Sequence, residues 1–218
     1  MKKSSKNKDL EEEITILIDQ KADLSEEISH TIIDEPQLLE TILKGVSSET
    51  ARVRFRSAKI LKIISTKNPE LLIEHWDFFI GLLDSDNKII LWNALDIIAN
   101  LTLIDIDRFD KIYPRYYHFL EDESMVTTAH VVDNSATIIS NHPKLEEEIT
   151  QKLLNMNEVP RSGECHDILS GKVLTAFDSY FQSIKDKKTV LEFAHNASQS
   201  KRNATKVRAD KFIKKYEG

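Results

Sequence analysis

A short proline-leucine phrase recurs along this sequence and constrains its fold more than any other feature. It reads Pro36-Gln37-Leu38-Leu39, then Pro69-Glu70-Leu71-Leu72, then Pro143-Lys144-Leu145, and Asp107-Arg108-Phe109 stands where another copy is due. The leading apolar residues of the four copies are separated by 33, 38 and 36 residues. Such a period is typical of stacked helical repeats, each of which is too small to bury its own apolar face. The spacing therefore predicts a solenoid of helix pairs.

The composition suits a helical protein. Apolar residues make up 40% and charged residues 30% of the 218 residues, with only five Gly and five Pro. These proportions argue against a turn-rich β fold. The most apolar stretch, residues 89–104, is interrupted by polar residues, and no run reaches the roughly 18 apolar residues that a membrane-spanning helix needs. We therefore expect an all-α protein without a membrane segment.

Each repeat is predicted to contain a helix A, a polar turn and a helix B. In the second repeat, Asn68 is the expected cap and Pro69 the first turn of a helix A that runs to about Leu83. Helix B follows over about residues 88–103, where apolar residues recur at spacings of three and four. The same plan predicts about four repeats within residues 34–185.

Both ends of the sequence have the character of caps on this array. Residues 1–8 are rich in Lys and Ser and predict a disordered tip, and residues 9–33 predict a short N-terminal helix pair. Residues 186–218 predict a basic C-terminal helix pair, because the solvent-facing end of a repeat array must be polar. Residues 9–218 are thus predicted to form a single domain.

Two segments carry a family resemblance. The segment Val53-Arg54-Phe55-Arg56-Ser57-Ala58-Lys59-Ile60-Leu61 is similar to the valine-arginine, alanine and leucine pattern of HEAT repeats. The segment Leu82-Leu83-Asp84-Ser85-Asp86, followed by Ala94, resembles the same motif. Over most of residues 34–185 the chain therefore resembles the HEAT/armadillo-like helical repeat family. The resemblance implies a right-handed α-α superhelix whose B helices line a concave face.

The sequence contains no motif that points to a reaction. It has no Gly-rich phosphate loop, no nucleophile motif and no His or Cys pair at metal-ligand spacing. We therefore predict no catalytic residue, no metal and no cofactor, and a non-enzymatic scaffold or adaptor that binds a protein or peptide partner. The single cysteine, Cys165, excludes an internal disulfide framework and favours a reducing, cytoplasmic location.

The candidate partner-binding residues lie on the B helices, opposite the apolar seam. They are Arg52, Arg56, Lys59, Trp92, Asp96, Asn100, Asp133 and Thr137. Aromatic and arginine side chains are common anchors of interfaces, and a run of charges from basic to acidic suits a peptide of mixed charge. The alternative is that Trp92, together with Phe55, packs inside the core.

A second functional class competes with the scaffold. Its sharpest form is a HEAT-like nucleic-acid-binding protein or DNA-repair glycosylase, in which Trp92, Asp96 and Arg56 would form the reactive set. Residues 31–184 contain 24 Asp and Glu against 15 Lys and Arg, whereas residues 185–218 contain four against ten. Because phosphate backbones are bound by clustered Lys and Arg, the acidic middle of the chain disfavours nucleic acid.

Overall fold

The chain divides into two compact units in a computed structural model that describes residues 2–217, with side chains for all of these except residues 2–9 and Asn157. Unit 1 is Met1–Asp105 and unit 2 is Ile106–Gly218, whereas we predicted a single domain over residues 9–218. No strand occurs among residues 2–217. The predicted all-α class is therefore confirmed.

Six α-helices lie within residues 2–105 of unit 1. They are α1 (Lys2–Asp19), α2 (Ser25–Asp34), α3 (Leu39–Gly45), α4 (Ala51–Lys67), α5 (Trp76–Gly81) and α6 (Lys88–Leu101). Helix α4 packs against α2 on one side and α6 on the other, while α3 and α5 pack on α4 and α6 as their pair partners. The predicted pairs of helices A and B are thus present in this unit.

Unit 2 repeats this plan with six further α-helices within residues 106–217. They are α7 (Ile106–His118), α8 (Met125–Asn141), α9 (Glu146–Leu154), α10 (Gly163–Tyr180), α11 (Lys187–Ser198) and α12 (Asn203–Tyr216). Helix α10 packs against both α8 and α12, and α11 packs on α12. The last two helices fall where the C-terminal helix pair was predicted.

The proline-leucine phrases form 3₁₀ segments that lead into helices. These segments are Pro36–Leu38, Pro69–His75 and Pro143–Leu145, and each starts with its proline. Proline is favoured in the first turn of a helix, because the backbone N–H groups of that turn have no acceptor within the helix and the N–H that proline lacks is not missed. The second predicted helix A is consequently shorter than expected, since its α-helical part is α5 alone. The Asn68 side chain makes no capping hydrogen bond, which corrects the prediction that it caps this helix.

Large aromatic side chains fill the core of each unit. Trp76 and Phe79 are the bulkiest fully buried side chains described in unit 1, with 1% and 0% of their surface exposed. Unit 2 buries Phe109, Tyr116 and Phe177 completely. Aliphatic residues that recur at spacings of three and four are buried in the same cores. The apolar periodicity of the sequence therefore predicted core positions correctly.

The N-terminal helix is longer than the sequence indicates. Helix α1 starts at Lys2, so residues 2–8, for which we predicted a disordered tip, belong to it, and Met1 lies outside the described residues. Four of these seven residues are Lys, which has a high helix propensity. Further along the helix, Ile14 and Ile18 are buried, and α1 packs against the other helices of unit 1.

Candidate interaction surface

Helices α4 and α6 place the main candidate residues on one surface of unit 1. Their buried faces contain small residues, Ser57 and Ala58 on α4 and Ala94 on α6. Five of the residues that stay at least partly exposed on these helices define the α4–α6 surface; they are Phe55, Lys59, Lys62, Trp92 and Asn93. This surface contains the predicted tryptophan.

Two predicted binding residues, Arg52 and Arg56, hold the end of α1. Nη1 of Arg56 donates to the carbonyl oxygen of Ile18 at 2.8 Å and to that of Gln20, and its Nη2 donates to that of Lys21 at 3.1 Å. Nη1 of Arg52 donates to the carbonyl oxygen of Asp19 at 2.7 Å. The last carbonyls of a helix lack partners within it and attract cations. The two arginines therefore cap α1 from the neighbouring helix.

We expect Arg56→Ala to lower the free energy of unfolding by about 1–3 kcal/mol, because three carbonyl oxygens lose a charged donor. Arg56→Lys should fall between the wild type and Arg56→Ala, since it keeps the charge but loses the planar fork. Urea unfolding followed by circular dichroism measures both changes. If Arg56→Ala is as stable as the wild type, Arg56 does not cap α1.

Lys59 connects α4 to the start of α2. Its Nζ lies 2.7 Å from Oδ2 of Asp23, and Oδ1 of Asp23 accepts from the hydroxyl and the backbone N–H of Ser25. The hydrogen bond from the Lys59 ammonium, together with those from Ser25, holds the pKa of the Asp23 carboxyl well below its usual range. Half of the Lys59 side chain remains exposed.

Asp96 and Asn100 join α6 to α4. Nζ of Lys62 lies 2.6 Å from Oδ2 of Asp96, whose side chain is only 8% exposed, whereas that of Lys62 is 44% exposed. Nδ2 of Asn100 donates to Oγ of Ser65 at 2.9 Å and to Oγ1 of Thr66 at 3.1 Å. The Asp96 carboxylate is therefore buried and paired with Lys62, so a ligand cannot contact it directly.

Trp92 is half-buried, and so is Phe55. The guanidinium carbon of Arg54 lies 5.0 Å from the centre of the Phe55 ring, a cation–π arrangement. Trp92 differs sharply from Trp76, which is 1% exposed and belongs to the core. Trp92 thus has intermediate exposure, between that of a core residue and that of an exposed one.

The set proposed for a glycosylase is engaged in contacts within unit 1. Arg56 binds the carbonyl oxygens at the end of α1, and Asp96 pairs with Lys62. Across the described residues, no group of three or more His, Cys, Asp and Glu could hold a metal ion. None of the described helices has both the length and the apolar character needed to cross a membrane.

Comparison with known proteins yields a likeness to solved structures but to no known family. The sequence matches no family model, and the search of curated proteins gives no match either. Among solved structures, the chain is similar to a designed armadillo repeat protein, with 16% sequence identity and a TM-score of 0.49. The similarity covers 95% of this chain and 93% of that one. The all-α class itself rests on the helices described above.

The two remaining candidate residues, Asp133 and Thr137, lie on α8 in unit 2. Asp133 is exposed and forms an ion pair with Lys172 of α10. Thr137 is half-buried. The predicted binding residues are therefore divided, with six in unit 1 and two in unit 2.

Sequence reasoning missed several side chains that connect neighbouring helices in unit 2. Nη2 of Arg161 donates to the carbonyl oxygens of Leu120 and Asp122 at 2.7 and 2.9 Å, although Arg161 lies in an irregular loop without a helical period. Nη1 of Arg208 donates to the carbonyl oxygen of Gly171 at 2.8 Å. The excess of Lys and Arg after residue 185 was the available indication for Arg208, but we assigned it to a solvated cap.

Proposed function

We propose that this chain is a non-enzymatic protein-interaction scaffold that binds a peptide or protein partner on the α4–α6 surface. The observation that carries the proposal is the position of Trp92. On α6 the neighbouring residues Leu91 and Leu95 are buried, while Trp92 is only half-buried. Tryptophan is enriched among the residues that dominate binding energies.

The charges around Trp92 support a partner of mixed character. Lys59 and Lys62 are each about half exposed and each already paired with one carboxylate. A second carboxylate from a partner can share these ammonium groups, since each has three donors. The tryptophan would then supply most of the affinity, and the lysines would set the orientation of the peptide.

The scaffold is favoured over the glycosylase alternative because Arg56 and Asp96 serve contacts within unit 1. A catalytic carboxylate must reach its substrate, and the Asp96 side chain is 8% exposed and paired with Lys62. A cytoplasmic location belongs to the same proposal, because the chain has a single cysteine and so no internal disulfide.

A peptide selected from a random display library against the full chain tests the proposal. We expect Trp92→Ala to weaken binding of the selected peptide by about 30-fold, which corresponds to about 2 kcal/mol, because the anchor loses its indole. Fluorescence anisotropy of the labelled peptide gives the dissociation constants.

Phe78→Ala is the matched control for this experiment. Phe78 is also a half-buried aromatic residue of unit 1, but it lies on α5 and is not one of the residues that define the α4–α6 surface. Its replacement should leave peptide affinity within about twofold of the wild type. Equal losses in both variants, or none in Trp92→Ala, would refute Trp92 as the anchor.

A further inference from the structure

A groove runs between α10 and α12 in unit 2. It consists of two adjoining cavities of about 330 and 180 Å³, which share Thr175 and Arg208 in their walls. Its lining extends along α10 from Ile168 to Asp178, which is about 15 Å at the helical rise. We call it the α10–α12 groove.

Close packing of the two helices fixes the floor of the groove. A β-carbon on Gly171 would lie 3.0 Å from Oγ1 of Thr205 and 3.3 Å from Nη1 of Arg208, so only glycine allows this approach without a shift. Oγ1 of Thr205 donates to the carbonyl oxygen of Asp167 at 2.7 Å, and Arg208 donates to that of Gly171. The Arg208 guanidinium is thereby held in a defined position beside the groove.

The lining of the groove carries an excess of positive charge. Its basic residues are Lys172, Arg202, Arg208, Lys211 and Lys215, and its acidic residues are Asp133 and Asp178. Lys172 pairs with Asp133, and Nζ of Lys215 lies 2.7 Å from Oδ1 of Asp178. For the remaining Arg202, Arg208 and Lys211, all exposed, the described residues supply no ion pair. Three positive charges therefore face one short groove.

We propose that the α10–α12 groove binds an acidic peptide segment of a protein partner. Guanidinium groups bind carboxylates through paired N–H donors, and a side chain already held in place loses little conformational freedom on binding. A groove of about 15 Å accommodates four or five residues of an extended peptide. This surface lies in unit 2, so the proposal goes beyond the one made for the α4–α6 surface.

An acidic peptide fits the groove better than a nucleic acid does. Asp133 and Asp178 neutralise Lys172 and Lys215 in the same lining, so the groove lacks the continuous row of cations that the evenly spaced phosphates of a nucleic-acid backbone require. Unit 2 as a whole contains as many Asp and Glu as Lys and Arg. A peptide can place neutral residues beside the two aspartates and carboxylates beside the three unpaired cations.

Fluorescence anisotropy with a labelled peptide of alternating Glu and Ser, about ten residues long, tests the proposal on the full chain. The double variant Arg202→Glu/Lys211→Glu reverses two charges of the lining, and we expect it to weaken binding at least about tenfold. The double variant Lys206→Glu/Lys214→Glu is the matched control. Both of its lysines are exposed on α12 and absent from the lining, so the same change in net charge should alter binding less than about threefold.

Three further measurements complete the test. Trp92→Ala should bind the Glu-Ser peptide like the wild type, which separates this groove from the α4–α6 surface. A Lys-Ser peptide of the same length should bind more weakly than the Glu-Ser peptide. Circular dichroism of both double variants should match the wild type, and Arg202→Ala/Lys211→Ala repeats the test without introducing new charges.

Several outcomes would overturn the proposal. Equal weakening by the two double variants would mean that the peptide responds to net charge and not to the groove. The competing ligand is a ten-nucleotide single-stranded DNA. If it binds the wild type more tightly than the Glu-Ser peptide does, and if only Arg202→Glu/Lys211→Glu and not the control variant loses this binding, the groove is assigned to nucleic acid. Failure of the wild-type chain to prefer the Glu-Ser peptide over the Lys-Ser peptide would also contradict it.

Discussion

Trp76→Ala is expected to lower the free energy of unfolding by about 3–5 kcal/mol, the range for truncating a large buried aromatic side chain. Trp76 begins α5 and is the largest of the fully buried side chains. Alanine would leave a cavity that the surrounding aliphatic residues of unit 1 fill only in part. Urea unfolding followed by circular dichroism at 222 nm measures the loss.

Trp76→Phe separates the volume of the indole from its polar atom. Nε1 of Trp76 is buried and has no hydrogen-bond partner among the described residues. Phenylalanine keeps much of the aromatic volume and removes a donor whose burial is costly. We expect less than half the loss seen for Trp76→Ala. Equal stability of Trp76→Ala and the wild type would contradict the core position of this residue.

Tyr116→Ala should cost unit 2 about 3–5 kcal/mol as well. The Tyr116 ring is fully buried and meets the rings of Phe109 and Tyr117 edge to face, with centres 5.3 and 5.5 Å apart. Its hydroxyl accepts a hydrogen bond from Nδ2 of Asn134 on α8 at 3.1 Å. Hydrogen exchange read by mass spectrometry should show protection lost first in α7 and α8.

Tyr116→Phe is the control for the hydroxyl. It keeps both ring contacts and removes one hydrogen bond, so we expect a loss of about 1 kcal/mol. A loss as large as that of Tyr116→Ala would mean that the hydrogen bond, and not the aromatic packing, carries the contribution of this residue. No change in either variant would contradict the packing described for α7.

The sequence predicted the helix pairs of both units but not the details of their starts. Apolar periodicity identified α6, because one face of this helix is buried. It did not identify Trp76 as a core residue, because a 3₁₀ segment precedes it and shifts the helical period. Single-residue capping by Asn68 was also wrong, since the proline phrase starts the turn without a side-chain cap.

The sequence placed the candidate residues on helices but did not show their contacts within the chain. Periodicity separates the core face of a helix from its opposite face, but a helix in a stack also meets the helices before and after it. Arg56 and Lys59 lie opposite the seam and nevertheless contact the chain 36 residues earlier, at Gln20 and Asp23. Lys215 and Asp178 pair across 37 residues in the same way. A charged residue one repeat away from a polar partner thus predicts a contact between helices, and not a free binding group.

The fluorescence of Trp92 tests the proposed function most directly. The chain has two tryptophans, so Trp76→Phe leaves Trp92 as the only indole, and a selected peptide without tryptophan can be titrated into this variant. We predict that saturating peptide shifts the Trp92 emission to shorter wavelength and reduces its quenching by acrylamide, because the partner covers the exposed part of the ring. An unchanged emission and unchanged quenching, while anisotropy shows the peptide to be bound, would contradict the α4–α6 surface as the binding site.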